Sequence, residues 1–389
     1  MKKLVLAIFV LVSIIGNIAA QPRIWNLESL KKARLENSTV NDNILKDADK
    51  LLPKKMASIV DKTKPAPSGD MHDYMSCGPY WWPDPANPTG PYIRKDGESN
   101  KDVLTPDKKN LGSLIYSVIQ LSLAYNLTSD EKYAIKAVDN LRIWFLNPAT
   151  KMNPNVNYGQ TIFGHLKGKG RGAGMIETYR FVELLDGVEL LKKSPALSKT
   201  DLQDLKNWFT EYLNWMITSE VGNQEYKAKN NHGTAFDVQL TRVALFVGRE
   251  DIARKYINDF AERRIFNQIE PDGKQPSELA RTKALHYSAF NIVHLLDMCL
   301  IAKTLDIDLL KTKSTDGRSI MKAIDFMAQY AGKPQSQFPY NQINEWDSDQ
   351  KLLIFQLYRV DKMLKKQTFK KYYETELNNS KRDYKYLLF

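Results

Sequence analysis

The chain has few of the residues that build cross-links and metal sites. Among its 389 residues are two cysteines, Cys77 and Cys299, and five histidines. Two cysteines exclude a disulfide framework and a multi-cysteine zinc site. The histidines form neither an HxH nor an HExxH pattern, so we expect no bound metal and no other cofactor. The cysteines could pair in an oxidising compartment, but Cys299 lies in an apolar run, where a buried free thiol is more common.

The motifs of several common enzyme classes are also missing. No GxSxG segment marks a serine nucleophile, and neither a GxxxxGK[ST] phosphate loop nor a GxGxxG segment after a strand occurs. A pair of catalytic carboxylates has no fixed spacing, so the sequence leaves that possibility open. A glycosidase that uses two of Asp237, Asp272, Glu278 and Asp297 therefore remains an alternative.

The first twenty residues have the pattern of a secretory signal. Lys2 and Lys3 precede the apolar run LVLAIFVLVSII, which ends near small residues before Gln21. This run is too short for a membrane span. We therefore predict a signal peptide over 1–20, export to the periplasm or the medium, and a mature chain over 21–389. No later uninterrupted apolar run approaches membrane length, so we expect no membrane span.

The chain is basic. Its formal net charge is +11, or +9 without Lys2 and Lys3. Positive charge attracts polyanions over long distances, and an acidic polysaccharide suits an exported protein better than nucleic acid does. The alternative is that lysine-rich helix faces only keep the protein soluble. Nothing in the sequence indicates the oligomeric state.

Apolar residues recur at helical spacing through most of the chain, and no strongly alternating strand run occurs. Helical hairpins follow one another about every 40–60 residues without a short consensus repeat. We therefore predict an all-α fold, an incomplete (α/α) toroid or barrel of helical hairpins, as a single catalytic domain with its loops around a cleft. The segment 336–389 could close the ring or wrap back on it. The predicted helices are 27–52, 111–127, 131–146, 174–193, 197–219, 233–247, 251–269, 286–305 and 319–331.

The irregular segment 72–100 is rich in proline and glycine but also in large aromatic side chains, among them Tyr80, Trp81 and Trp82. Flat aromatic rings stack on the C–H faces of sugars, which favours a substrate-binding wall. The alternative is a loop that folds its aromatics onto the core. Because Trp81 and Trp82 are adjacent, we do not expect both to point the same way.

Two further irregular segments hold candidate substrate-binding residues. The glycine-rich segment 153–174 contains Gln160, His165 and Arg171, and we expect a flexible basic loop over an anionic ligand, or else a solvated loop. The segment 270–291 contains candidates for substrate binding and for catalysis. They are Gln275 and His286 for binding, and Arg281 and Tyr287 for catalysis.

Arg281 and Tyr287 share a helix face only if the helix is interrupted between them, because they are six residues apart. The helix that begins near Asn230 opens with two asparagines and a histidine, where one asparagine would suffice as a cap. Asn231 and His232 could therefore face the cleft; the alternative is that all three residues only cap the helix and pack. Asn, His, Arg and Tyr together suit the removal of a weakly acidic proton beside a carboxylate.

Three segments together resemble the alginate lyase superfamily, whose members are helical-toroid polysaccharide lyases. In chain order they are PYWWPDP (79–85), NNHG (230–233) and PDGKQPSELART…YSAFN (271–291), and the family has its segments in the same order. The resemblance covers about residues 70–330. It implies an (α/α) toroid and an active site formed by an Asn-His pair, a downstream Arg and a nearby Tyr.

Transferred by motif, the resemblance assigns roles to Asn231, His232, Arg281 and Tyr287. Asn231 and Arg281 would neutralise the C6 carboxylate of a uronate. Tyr287 would be the acid, and the base for one C5 epimer. His232 would be the base for the other epimer, or would hold the tyrosine and the carboxylate in place.

The activity implied by the resemblance is metal-independent β-elimination on alginate, which leaves 4,5-unsaturated uronate ends. Where better-known members have an aromatic-rich NNHSYW-like segment, this chain reads NNHGTAF, which leaves substrate choice open. The alternatives are another uronan such as glucuronan or a hyaluronan-like polymer, an (α/α) glycoside hydrolase of acidic oligosaccharides, and a non-catalytic polysaccharide-binding protein. Epimer preference and endo or exo cleavage are not indicated.

Overall fold

The computed structural model describes residues 23–36, 38–103, 105–378 and 383–389. The predicted signal peptide lies outside these residues. The described chain is mainly helical, which confirms the predicted all-α toroid. The helices are α1 (Leu27–Leu35), α2 (Thr39–Leu51), α3 (Pro106–Thr128), α4 (Glu131–Leu141), α5 (Phe181–Leu191), α6 (Lys199–Thr218), α7 (Glu220–Tyr226), α8 (Asn231–Phe246), α9 (Glu250–Phe260), α10 (Phe266–Gln268), α11 (Pro276–Leu279), α12 (Ala284–Lys303), α13 (Ile320–Ala328), α14 (Trp346–Leu364) and α15 (Lys370–Asn378).

An inner row of helices forms the core of the molecule. Helices α3, α5, α8, α12 and α14 pack side by side in chain order, and α5, α8 and α12 are buried along most of their length. Helices α4, α9, α13 and α15 pack against this row, and α4, α9 and α13 present one apolar face to it. The inner helices α5, α8 and α12 are thus almost wholly buried, and the outer helices α4, α9 and α13 are amphipathic.

Buried ion pairs join neighbouring inner helices. Asp186 on α5 accepts a hydrogen bond from Nε of Arg242 on α8 at 3.0 Å, and Asp297 on α12 pairs with Arg359 on α14. Breaking such a pair from one side leaves an uncompensated buried charge. These pairs therefore fix which helices are neighbours more than they add net stability.

Helices α12 and α14 run in the same direction. His286, near the start of α12, contacts Asp349 near the start of α14, and Asp297 contacts Arg359 further along both helices. The amino-terminal ends of the two helices therefore lie at the same rim. Long loops enter the fold at this rim and supply its irregular residues.

Four short strands among the described residues shape those loops. They are β1 (Met75–Cys77), β2 (Trp81–Trp82), β3 (Ile93–Arg94) and β4 (Tyr158–Thr161). Strand β1 pairs with β4 in parallel, and β2 pairs with β3 as an antiparallel hairpin. This pairing places the glycine-rich segment next to the aromatic-rich one.

The predicted single helix over 27–52 is wrong, because the structure has two helices there. Ser38 caps the second of them by accepting a hydrogen bond from the backbone of Asn41 at 3.3 Å. The C-terminal segment, for which we predicted no elements, forms α14 and α15. It then wraps back, since the carbonyl of Leu388 accepts a hydrogen bond from the backbone N–H of Asn26 at 2.7 Å.

Helix α12 is the one described helix long and apolar enough to cross a membrane. Within its most apolar stretch, 78% is buried inside the fold. A buried core helix can be as long and as apolar as a membrane span. The extent of burial explains why α12 is so apolar: it contacts other helices on nearly every side.

Candidate active site

The start of α8 explains its run of two asparagines and a histidine. Asn230 is the cap, and its side chain accepts a hydrogen bond from the backbone N–H of His232 at 3.2 Å. Asn231 is held separately, by Glu278. Its backbone N–H and its Nδ2 donate to the two carboxylate oxygens at 2.6 and 2.7 Å. One Nδ2 hydrogen of Asn231 is left over for a ligand.

His232 follows in the first turn of α8 and is oriented by a carboxylate. Its Nδ1 lies 2.6 Å from Oε1 of Glu225, which belongs to α7. Burial lowers the pKa of His232, but the negative charges of Glu225 and Glu278 outweigh burial and raise that pKa overall. With the Nδ1 proton directed to Glu225, the other ring nitrogen carries the lone pair of a base.

Arg281 and Tyr287 meet because the helix is interrupted between them. Helix α11 ends at Leu279 and α12 begins at Ala284, so Arg281 lies in the link. Its guanidinium lies 3.6 Å from the centre of the Tyr287 ring, which is a close cation–π contact. The Tyr287 hydroxyl donates a hydrogen bond to the hydroxyl of Tyr80 at 2.8 Å. Burial and Tyr80 raise the pKa of Tyr287, and Arg281 opposes that rise.

Arg281 already binds a carboxylate of this chain, which the sequence analysis missed. Its Nε and Nη2 donate to the two oxygens of Asp96 at 3.0 and 2.7 Å, and the backbone N–H of Thr282 adds a contact at 3.3 Å. Burial alone would raise the pKa of Asp96, but Arg281 lowers it to about 2. The expected contact of Arg281 with a substrate carboxylate therefore stays a prediction.

Glu278 connects the four expected catalytic residues. Its carboxylate binds Asn231, and its charge raises the pKa values of both His232 and Arg281. Arg281 in turn contacts Tyr287. The structure thus brings the four residues together at the rim formed by the first turns of α8 and α12.

The two tryptophans of β2 point different ways, as their adjacency requires. The indole N–H of Trp82 donates to the carbonyl of Glu98 at 3.0 Å, within its own loop. The ring of Trp81 instead faces the glycine-rich segment, 5.0 Å from the ring of His165 and 5.8 Å from the guanidinium of Arg171. Trp81 is therefore the better placed of the two for a ligand that contacts Arg171.

Part of the glycine-rich segment, around Gly159, Gly170 and Gly174, is closely packed, whereas 163–169 is mostly exposed. The expected flexible basic loop over an anionic ligand stays a prediction. A Cβ on Gly170 would lie 2.6 Å from the backbone of Gly159, and one on Gly174 would lie 2.4 Å from it. The glycines are needed because two backbones approach each other there. Gln160 accepts a hydrogen bond from Nη2 of Arg171 at 2.6 Å, which fixes both side chains.

The remaining binding candidates have mixed positions. His165 is bound to the carbonyl of Tyr92 at 2.8 Å, beside Trp81. His286 lies next to Tyr287, with ring centres 5.1 Å apart, but its Nδ1 is bound to Asp349 at 2.7 Å.

Gln275 does not reach the surface of the site. Its side chain is 1% exposed, and its amide group is bonded to the carbonyl of Ser288 at 3.2 Å and to Asn291 at 2.8 Å. The expectation that Gln275 contacts substrate is therefore corrected. Its hydrogen bonds to α12 instead hold the link between α11 and α12 in place.

The carboxylates considered for a glycosidase are already engaged. Asp237 binds two arginines, Asp297 binds an arginine and a tyrosine, and Glu278 binds the backbone and side chain of an asparagine. Asp272 lies in an exposed turn, paired with a lysine. No two of these four form a free acid–base pair across a cleft. The described residues also contain no cluster of three metal-ligating side chains.

The comparisons with known proteins identify the family of the chain. The alginate lyase family model matches residues 58–337. The chain belongs to the alginate lyase family. It is a polysaccharide lyase, and the resemblance drawn from its three sequence segments is confirmed.

Solved structures of the family place the chain more closely. The crystal structure of an alginate lyase from Bacteroides ovatus is 48% identical, with a TM-score of 0.91 over 94% of this chain and 98% of that one. Alginate lyase A1-III from Sphingomonas species A1 is 15% identical, with a TM-score of 0.55 over 89% and 90%, and shows the shared fold. A search of curated proteins found no match.

Proposed function

We propose that this family member cleaves alginate by β-elimination without a metal. The observation that supports it most directly is the connection through Glu278, which gathers Asn231, His232, Arg281 and Tyr287 at one rim. The related Bacteroides ovatus protein is described as an alginate lyase. The basic charge of the chain also suits an anionic polymer.

The first chemical difficulty is the weak acidity of the C5 hydrogen of a uronate. A free Nδ2 hydrogen of Asn231 can donate to the C6 carboxylate and stabilise the charge that develops there. For one C5 epimer, the unprotonated nitrogen of His232 takes the C5 proton while Glu225 stabilises the resulting imidazolium. For the other epimer, Tyr287 takes it as a phenolate. Burial and Tyr80 oppose that ionisation by raising the pKa of Tyr287, and the adjacent Arg281 counters them.

The second step is loss of the glycosidic bond. The electron pair left at C5 forms the C4–C5 double bond, and the bond between C4 and O4 breaks. Tyr287 gives a proton to the departing O4. In the unbound structure that hydroxyl donates to Tyr80, so the substrate oxygen takes the place of Tyr80 as acceptor. No water enters the cleavage, which separates the reaction from hydrolysis.

The test is an assay for the ultraviolet absorbance of the new double bond. Poly-mannuronate, poly-guluronate, glucuronan and hyaluronan are compared, with and without chelator. We expect absorbance to rise on an alginate block and to be unaffected by chelator. Tyr287→Phe should reduce kcat by about 10²–10⁴-fold because a general acid is lost.

Tyr116→Phe is the matched control, because Tyr116 is 37% exposed on α3 and, among the residues that the structure describes, its hydroxyl bonds a surface aspartate at 3.4 Å. It should leave the rate unchanged. New reducing ends without absorbance would contradict elimination. Binding without either signal would leave a polysaccharide-binding protein, and absorbance on glucuronan alone would change the substrate.

We also propose that the protein is exported, on the basis of the pattern in residues 1–20. Expression in a bacterium followed by cell fractionation tests this. The recovered periplasmic protein should begin at Gln21. A cytoplasmic protein that keeps Met1 would contradict export.

A further inference from the structure

We propose that Arg171 binds a carboxylate of the uronate polymer and so makes the site specific for charged sugars. This inference rests on the proposed function, and it adds a recognition residue that acts in binding and not in proton transfer.

Arg281 and Arg171 differ in whether the guanidinium already binds a carboxylate of the chain. Arg281 holds Asp96 through two hydrogen bonds. Within the described ranges, the Arg171 side chain has no carboxylate partner, and its one hydrogen bond goes from Nη2 to the neutral Gln160 at 2.6 Å. Its Nε is buried and has no partner. A half-buried cation left in this state is costly, and an anionic ligand would compensate it.

A second unused donor lies beside Arg171. The indole N–H of Trp81 is also buried and without a partner within the described ranges. A Cβ built on Gly78 would lie 3.2 Å from that nitrogen and 3.5 Å from Nη2 of Arg171. Both donors therefore lie close together beside the backbone of Gly78, where a Cβ would lie 2.6 Å from Cδ1 of Trp81, so a glycine is what lets Trp81 and Arg171 approach each other there.

The surrounding backbone holds Arg171 in place. Its neighbours Gly170 and Gly172 pack so closely that a Cβ would lie 2.6 Å from Gly159 and 2.8 Å from the backbone nitrogen of Glu225. The guanidinium is therefore presented from a rigid segment, which lowers the entropic cost of binding.

The position of Arg171 also relates it to the chemistry. Its charge lowers the pKa of His232, and the charge of Glu225 acts on both residues. Gly172, next to Arg171, packs against the backbone of Glu225, whose carboxylate holds His232. A planar guanidinium with free N–H groups matches a carboxylate, and each sugar of a uronate polymer carries one. Trp81 can meanwhile pack against the sugar ring.

The experiment measures binding in the Tyr287→Phe background, where substrate is not consumed. A mannuronate oligosaccharide and its carboxyl-reduced counterpart are titrated by calorimetry into the parent, Arg171→Gln and Arg171→Lys. We expect Arg171→Gln to weaken uronate binding about 10- to 100-fold, as for loss of a charge-assisted pair, with little effect on the reduced sugar. Arg171→Lys should be intermediate, because it keeps the charge but not the planar fork.

Arg249→Gln is the matched control, since it removes the same charge from an exposed pair with Asp251 on α9. It should leave uronate binding unchanged. Equal losses for both oligosaccharides, or none in Arg171→Gln, would overturn the proposal. Far-ultraviolet circular dichroism of each variant excludes misfolding. The proposed function fails separately, if the unaltered enzyme produces no unsaturated ends.

In the otherwise unaltered enzyme, Arg171→Gln should raise KM by a similar factor while kcat stays within about twofold, because the contact is made equally before and during reaction. A fall in kcat with constant KM would contradict a binding role. It would instead place Arg171 among the groups that act in the transition state.

Discussion

Replacement of Asp96 by Asn tests whether this carboxylate positions Arg281 for catalysis. The variant keeps the size of the side chain and one acceptor oxygen, but it removes the charge that holds the guanidinium. The pair is partly buried, with side chains 16% and 22% exposed, and its two hydrogen bonds measure 3.0 and 2.7 Å. Without it, nothing in the described structure fixes Arg281 on the ring of Tyr287.

The expected loss of stability follows from two estimates. A hydrogen bond to a charged group contributes about 1.5–3 kcal/mol, less where water screens it. The pKa of Asp96 falls from 3.8 to about 2, which corresponds to roughly 2.5 kcal/mol before screening. We expect Asp96→Asn to lower the free energy of unfolding by about 1–2 kcal/mol at pH 7.

The effect on stability should depend on pH with a definite sign. Because the pKa of Asp96 is lower in the folded state, its contribution is fully present above the unfolded value of 3.8 and is lost as pH falls toward 2. Urea unfolding at pH 7, 5 and 3 should therefore show the difference between parent and variant shrinking only at pH 3. A difference that stays constant to pH 3 would refute the charge-based explanation.

The effect on activity separates two roles of Asp96. If it positions Arg281 against Tyr287, Asp96→Asn should lower kcat about tenfold, with KM within twofold. If Asp96 instead competes with the substrate carboxylate for Arg281, Asp96→Asn should lower KM and leave kcat unchanged. That second result would refute our reasoning. Asp251→Asn, in an exposed pair of similar geometry with Arg249, is the control and should change neither constant.

Three other variants test the supports of the site. Glu225→Gln removes the charge that raises the pKa of His232, so the acid limb of kcat/KM, where the base becomes protonated, should move to lower pH in rate profiles. Glu278→Gln should lower kcat at least about tenfold in the absorbance assay by releasing Asn231. Asp237→Asn removes the partner of the buried Arg264 and the half-buried Arg263. It should cost about 3–5 kcal/mol in urea unfolding, with KM unchanged.

Continuous apolar periodicity and local caps were readable from sequence. The predicted helix 197–219 corresponds to α6, and Ser198 forms a capping box with Asp201 at its start. Such signals lie within one turn of the residues they control. The expectation that Asn231 and Tyr287 share a site comes only from the family resemblance; the structure places each in the first turns of a strongly apolar inner helix.

Contacts between distant segments could not be predicted in this way. Asp96 is 185 residues from Arg281, and no periodic pattern relates them. Gln275 looked like a polar residue in a loop, but its partners come from α12 and bury it. The glycines around Arg171 predict a flexible loop, because the sequence does not show that the backbone of Gly159 lies against them.

The partners of the two arginines carry a consequence for specificity. The long-range attraction from a net charge of +11 is shared by any polyanion, so it cannot distinguish a uronate polymer from another acidic chain. Arg281 cannot supply the distinction in the unbound state either, since Asp96 satisfies it. Arg171 is the cation near His232 that still lacks a carboxylate among the described residues. Discrimination of charged from neutral sugars should therefore depend on Arg171, and the rate of proton transfer on Arg281.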